Sequence, residues 1–140
     1  MPVELRHLYP APSMRDLLLV GSGGFIGTVA RYLLSGAVTQ ASAASRFPFG
    51  TLAVNALGCL LIGVLSGLAE QSGTFSTSTR LLLFTGVLGG FTTFSAFAFE
   101  TYFLGREQLW LLALANVGAQ VAIGLAAVVV GHQGAVLASR

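Results

Sequence analysis

The sequence is poor in charged side chains. It contains no lysine, all seven basic residues are arginine, and only 9% of its 140 residues are charged. A soluble domain carries roughly 25% charged residues, so this composition is typical of an integral membrane protein. The net charge of +2 is small and scattered along the chain, which argues against a nucleic-acid partner.

The sequence also has little that would support catalysis. Cys59 is the single cysteine, so no internal disulfide can form. It lies in an apolar run, where a cysteine commonly packs as a small hydrophobic residue. We find no nucleophile–base pair and no cluster of metal-ligating side chains in the sequence, and we therefore do not expect an enzyme.

Long apolar runs are what the sequence does have. Four of them, each about twenty residues long, match the apolar thickness of a bilayer. Backbone groups in lipid must be satisfied within the chain, so these runs predict transmembrane helices and an all-α membrane protein. The predicted spans are 17–36, 50–69, 81–103 and 110–130. They define one membrane domain, 17–131, between a polar N-terminal extension, 1–16, and a C-terminal tail, 132–140.

The arginines give almost no topological bias. With four spans, one side of the membrane receives Arg6, Arg15, Arg80 and Arg140, and the other receives Arg31, Arg46 and Arg106. The positive-inside rule therefore favours neither orientation. If the protein inserts both ways, two copies can pair head to tail and supply the inverted repeat that many transport proteins carry within one chain.

The third span contains the most unusual stretch, 86–100. Its two glycines, Gly89 and Gly90, lower helix propensity, and Thr92 and Thr93 follow them. We expect the helix to open here, with one of the threonines capping the half-helix that follows. Free N–H groups at such an end favour an anion, and unwound carbonyls are ready ligands for Na+.

Three amides lie inside other spans. Asn55 is in the second span, and its amide is equally consistent with an interhelical hydrogen bond of about 1 kcal/mol and with an NH2 donor facing a pore. Asn116 and Gln120 are four residues apart in the fourth span, so they share one helix face. Two amides in register favour a polar track along that face.

Two phenylalanines extend this polar set. Phe94 and Phe97 are three residues apart and share a helix face. Phenylalanines in a span are usually packing residues, but the edge of a phenyl ring is electropositive. Ring edges, amides and hydroxyls together can surround a small anion without holding it as tightly as an arginine would.

At these residues the sequence resembles the Fluc/CrcB family of fluoride channels. The similarity covers 21–124 and is carried by GGFIGTVARYLL (23–34), FGTLAVNALG (49–58) and GGFTTFSAF (89–97). The resemblance implies an antiparallel, dual-topology homodimer in the cell membrane of a bacterium, with two pores that export F− passively.

The resemblance also implies roles for individual residues. Asn55 would line the pore, and Phe94 and Phe97 would present ring edges to the ion. A central structural Na+ would be held by the carbonyls of Gly89 and Thr92 from both subunits. Around the pore we place the following residues, combining this resemblance with the polar pattern: Asn55, Thr93, Phe94, Ser95, Phe97, Asn116 and Gln120.

Two positions depart from the family pattern. Ala96 replaces a hydroxyl residue common between the paired phenylalanines, and Gln120 replaces a small hydroxyl residue in the polar track.

Two other functions compete. One is a structural assembly protein whose glycine faces only pack, which would leave Asn55 and the broken third helix unexplained. The main one is a small dual-topology drug/proton exchanger, which needs a titrating carboxylate in the membrane. Glu100 is the only candidate within a span, and it lies near the end of its helix.

Overall fold

The computed structural model describes residues 12–72 and 75–139, and throughout them the regular structure is helical. The first eleven residues of the predicted N-terminal extension lie outside the described residues. The helices are α1 (Met14–Ala41), α2 (Phe49–Ser72), α3 (Thr77–Arg80), a π-helical segment (Leu81–Leu88), α4 (Gly89–Phe91), α5 (Phe94–Arg106) and α6 (Trp110–Ala138).

Four helical spans in the described residues are long and apolar enough to cross a membrane, which confirms the expected number. They cover Met14–Ala41, Phe49–Glu70, Thr77–Arg106 and Trp110–Ala138. Each of the four helical spans extends beyond the apolar run that predicted it. Most of the segment expected as a tail therefore continues α6, which ends only at Ala138.

Glycines allow the helices to approach closely. A Cβ atom at Gly23 would lie 2.6 Å from the carbonyl oxygen of Leu82, and one at Gly27 would overlap the carbonyl of Val87. On α2, a Cβ at Gly67 would lie 2.7 Å from the carbonyl oxygen of His132 on α6. Such contacts are how helices associate in lipid, where no hydrophobic force drives them together.

The third span is the irregular one. It runs from Thr77 to Arg106 but contains a π-helical segment, in which the N–H of Gly89 reaches back five residues to the carbonyl of Phe84. Isolated π-helical turns are frequent at functional sites. No pattern in the sequence predicted this segment.

The helix break lies after the glycines that we expected to open it. Gly89 has φ −63° and ψ −38° and stays helical, whereas Thr92 (ψ 159°) and Thr93 (φ −151°) are extended. Gly90 is needed for packing, because a Cβ there would lie 2.6 Å from the carbonyl oxygen of Gly24. The low helix propensity of glycine is a weak preference that such packing overrides.

Candidate functional site

The side chain of Asn55 spans the break. Its Oδ1 accepts a hydrogen bond from the backbone N–H of Thr93 at 2.8 Å, and its Nδ2 donates to the carbonyl oxygen of Thr93 at 3.1 Å. The second Nδ2 proton goes to Gln120 Oε1 at 3.0 Å. Asn55 thus supplies the partner that the Thr93 N–H lacks at the break, which matters because an unpaired backbone group in lipid costs several kcal/mol.

Thr93 begins the half-helix that follows. Its Oγ1 accepts from the N–H of Ala96 at 3.2 Å, so Thr93 is the N-cap of α5, as expected for one of the two threonines. Ser95 lies beside this cap, with its Oγ 3.3 Å from Thr93 Oγ1. The first turn of α5 therefore combines hydroxyl groups with the positive end of a helix dipole.

The break also changes the partners of three carbonyls in α4 and just after it. In an unbroken helix, the Gly89 carbonyl would accept from the Thr93 N–H and the Thr92 carbonyl from the Ala96 N–H. These donors instead bind Asn55 Oδ1 and Thr93 Oγ1. The carbonyl of Gly90 accepts a hydrogen bond from the hydroxyl of Thr28 at 3.4 Å.

The two amides of α6 have different surroundings. Gln120 reaches the break through Asn55. Asn116 is 0% exposed and donates through Nδ2 to Thr101 Oγ1 at 2.9 Å, while that hydroxyl donates to the carbonyl of Phe97 at 2.8 Å. Asn116 therefore supports α5 from behind, whereas Gln120 lines a cavity at the break.

That cavity has a volume of about 420 Å³, and none of the described residues that line it is charged. The rings of Phe94 and Phe97 lie at its side with centroids 5.4 Å apart and planes inclined at 67°, an edge-to-face arrangement. Phe94 is 77% exposed in the protomer. The lining consists of Asn55, Gly58, Cys59, Ile62, Phe84, Leu88, Gly89, Thr92, Thr93, Phe94, Phe97, Gln120 and Val121.

A second cavity, of about 590 Å³, lies on the other side of Thr93 and does contain charged groups. Arg31 and Glu100 both line it. Glu100 is half-buried and accepts a hydrogen bond through Oε1 from the hydroxyl of Thr51, a residue only 4% exposed. Thr93 lines both cavities, so the uncharged cavity and the charged cavity both border the break.

The sequence did not point to several residues that hold this arrangement together. Three threonine hydroxyls bind a group of another helix. Thr28 binds the Gly90 carbonyl, Thr51 binds the Glu100 carboxylate and Thr101 binds the Asn116 amide. Their common signal is a lone hydroxyl residue within an apolar span. Many such residues bond only to their own helix, as Ser22 does to Leu19, so the pattern alone does not identify the ones that matter.

The fold and the site together define a multi-pass membrane protein with a broken third span and an uncharged, mostly apolar cavity at the break, to which Asn55, Thr93 and Gln120 contribute polar groups. Residues 18–132 match the family described as CrcB-like protein, Camphor Resistance (CrcB). The match covers most of the sequence, and the chain belongs to the CrcB family.

Named relatives agree with the family assignment. A protein of Methylobacillus flagellatus called "Fluoride-specific ion channel FluC" is 48% identical over 120 residues, which are 86% of this chain and 94% of that protein. A protein of the same name from Chlorobaculum tepidum is 50% identical over 113 residues, covering 81% and 88% of the two chains. "Fluoride-specific ion channel FluC 1" of Methanosarcina acetivorans is 42% identical over 118 residues, covering 84% and 88%.

Proposed function

We propose that this protein is a fluoride-selective channel that lets F− leave the cell passively and so relieves fluoride toxicity. The observation that carries the proposal is the uncharged cavity at the helix break, in a chain whose relatives are named as fluoride channels. In a bacterium the membrane concerned is the plasma or inner membrane.

The lining of the cavity supports weak, multiple contacts with the ion. The break is surrounded by the amides of Asn55 and Gln120 and the hydroxyls of Thr93 and Ser95. The rings of Phe94 and Phe97 contribute electropositive edges. None of these groups carries a full charge, so an anion can bind and still leave. Asn116 contributes from behind, by holding Thr101 and the first turns of α5.

The protein acts as an antiparallel homodimer of dual topology. The even distribution of arginines between the two sides supports insertion in both orientations. Phe94 is largely exposed although it lines the cavity, and Gly89 beside it is exposed as well. A second copy that covers this side would complete two pores and bury both residues.

A structural Na+ fits the break of such a dimer. The family resemblance points to the carbonyls of Gly89 and Thr92, which are among those that lose their helical N–H donors at the break, here to Asn55 and to the Thr93 hydroxyl. Two carbonyls from each subunit would form a four-oxygen site, and oxygen ligands suit a hard cation. The described residues contain no group of three metal-ligating His, Cys, Asp or Glu side chains that would favour another metal. The ion would satisfy the oxygen atoms of these carbonyls, and its positive charge would favour anions nearby.

A flux assay tests the proposed function. The purified protein is reconstituted in liposomes loaded with potassium fluoride or potassium chloride, with the same pH inside and outside and with valinomycin to carry K+. We expect rapid F− efflux and Cl− efflux no faster than from liposomes without protein. Comparable efflux of the two anions would contradict selectivity, and F− efflux that requires a pH gradient would indicate an exchanger instead.

A further inference from the structure

Two buried polar atoms on α6 have no hydrogen-bond partner among the described residues. They are Asn116 Oδ1 and Gln120 Nε2. Because the residues are four apart on one helix, their side chains lie on the same face, with Cβ atoms about 5–6 Å apart. Buried amide atoms are almost always paired, and a pair left open on one face calls for an explanation.

The orientation of the Gln120 amide is fixed by the backbone at the break. The N–H of Thr93 can only donate, so the Asn55 atom that it contacts is Oδ1. Asn55 Nδ2 must then face the Thr93 carbonyl and Gln120, and the atom of Gln120 that it contacts is the acceptor Oε1. The free atom of Gln120 is therefore a donor, Nε2.

The orientation of the Asn116 amide is fixed in the same way from α5. The carbonyl of Phe97 can only accept, so it takes the single hydroxyl proton of Thr101. Thr101 Oγ1 must then accept from Asn116, and the contacting atom is Nδ2. The free atom of Asn116 is therefore an acceptor, Oδ1.

We infer that Asn116 Oδ1 and Gln120 Nε2 together bind one water molecule, which accepts from Gln120 and donates to Asn116. An anion can accept from Gln120 Nε2 but cannot donate to Asn116 Oδ1, and a metal cation can bind Asn116 Oδ1 but cannot accept from Gln120 Nε2. With hydrogen bonds of about 2.8 Å, one water can bridge two atoms up to roughly 5 Å apart, and the two side chains project from neighbouring positions on one helix face. Two polar partners are enough to hold a buried water.

The water completes a ring of hydrogen bonds that ties α5 to α6. The ring runs from Thr93 through Asn55 and Gln120 to the water, and then through Asn116 and Thr101 to the carbonyl of Phe97. Thr93 caps α5, and Phe97 lies in the first turns of the same helix. The ring therefore fixes the start of α5, where Phe94 and Phe97 lie, against α6.

Two measurements test this inference, and neither depends on fluoride transport. The first is a structure of the unmodified protein at a resolution that reveals ordered water. We expect density about 2.8 Å from both Asn116 Oδ1 and Gln120 Nε2. A direct contact between the two amides, or no density between them, would overturn the inference.

The second measurement is a double-mutant cycle on unfolding in detergent micelles titrated with SDS, using Asn116→Leu and Gln120→Met. Either substitution alone removes the water, so the second substitution has less left to lose. The unfolding equilibrium constant of the double variant should therefore be about five- to tenfold smaller than the value expected from adding the two single losses of stability. As a matched control, Asn116→Leu combined with Ser22→Ala on α1 should be additive, because Ser22 bonds only within its own helix. Additive effects of Asn116→Leu and Gln120→Met would contradict a shared water.

Discussion

The side-chain amide of Asn55 binds both backbone groups of Thr93, as a neighbouring strand would, and it does so in the middle of a membrane helix. Its Oδ1 accepts from the N–H at 2.8 Å and its Nδ2 donates to the carbonyl at 3.1 Å. One residue of α2 therefore stabilises the interruption in the third span and also lines the cavity that this interruption creates.

Replacing Asn55 with Asp should abolish F− flux. A carboxylate has the same size but only acceptor oxygens, so one of them would face the Thr93 carbonyl and Gln120 Oε1, and its charge would repel the anion. We expect a loss of at least about tenfold, or roughly 1.4 kcal/mol, in liposome efflux. A matched control is Asn116→Asp, which changes an amide that lies behind α5 and lines neither cavity.

The control variant separates the two effects of the substitution. Asn116→Asp should weaken the Thr101 contact and lower stability while F− flux remains measurable. Efflux from Asn55→Asp at the wild-type rate would place Asn55 outside the ion pathway.

The sequence was sufficient to predict the four spans and most of the polar side chains at the break. The spans follow from apolar runs of bilayer length, and amides such as Asn55 and Gln120 stand out because polar groups are rare in lipid. The roles of these residues remain predictions. Their placement at one cavity is what the structure adds for Asn55, Thr93, Phe94, Phe97 and Gln120.

The exact course of the third span could not be predicted. Gly89 and Gly90 have low helix propensity, yet both stay helical because Gly90 packs against Gly24 and the preceding π-helical segment continues into α4. The break moves instead to Thr92 and Thr93, where Asn55 from another helix is in reach. Tertiary contacts of this kind are not visible in a local pattern.

The phenylalanine pair should contribute through its ring edges. Phe94→Ile and Phe97→Ile keep apolar bulk but remove the electropositive edge, which contributes about 0.5–1.5 kcal/mol in comparable contacts. Each variant should therefore slow F− efflux by about two- to tenfold or more. The proposed dimer should keep its elution volume in size-exclusion chromatography.

Phe99→Ile provides the comparison for that pair. Phe99 is 64% exposed, packs on Phe103 and lines neither cavity. Its replacement should leave efflux unchanged. If Phe94→Ile and Phe97→Ile both conduct like the wild type, the two rings serve only for packing.

Gly89 allows the dimer to be tested apart from the protomer. Among the described residues, a Cβ at Gly89 meets only the Phe84 carbonyl oxygen, at 3.7 Å, so Gly89→Leu should leave the helical content by circular dichroism unchanged. If the two breaks meet on a dimer axis, the added side chain should weaken association and stop flux together. Crosslinking in liposomes over a range of protein-to-lipid ratios measures the association.

Gly27→Leu is the opposite case. A Cβ there would overlap the Val87 carbonyl, so this substitution should disrupt the protomer itself. A dimeric, conducting Gly89→Leu variant would contradict an interface at the break.

Removal of Na+ tests the central cation. The carbonyls of Gly89 and Thr92 lose their helical donors to Asn55 and to the Thr93 hydroxyl, and an unsatisfied carbonyl in lipid costs several kcal/mol. A Na+ shared by two subunits would remove this cost in the dimer, whereas a large organic cation such as N-methylglucamine cannot enter the site. Protein purified and reconstituted without Na+ should therefore show slow or no F− efflux, and adding Na+ under exchange conditions should restore it. Li+ and K+ serve as size controls, and unchanged efflux in all three salts and in N-methylglucamine would show that no cation is needed at the break.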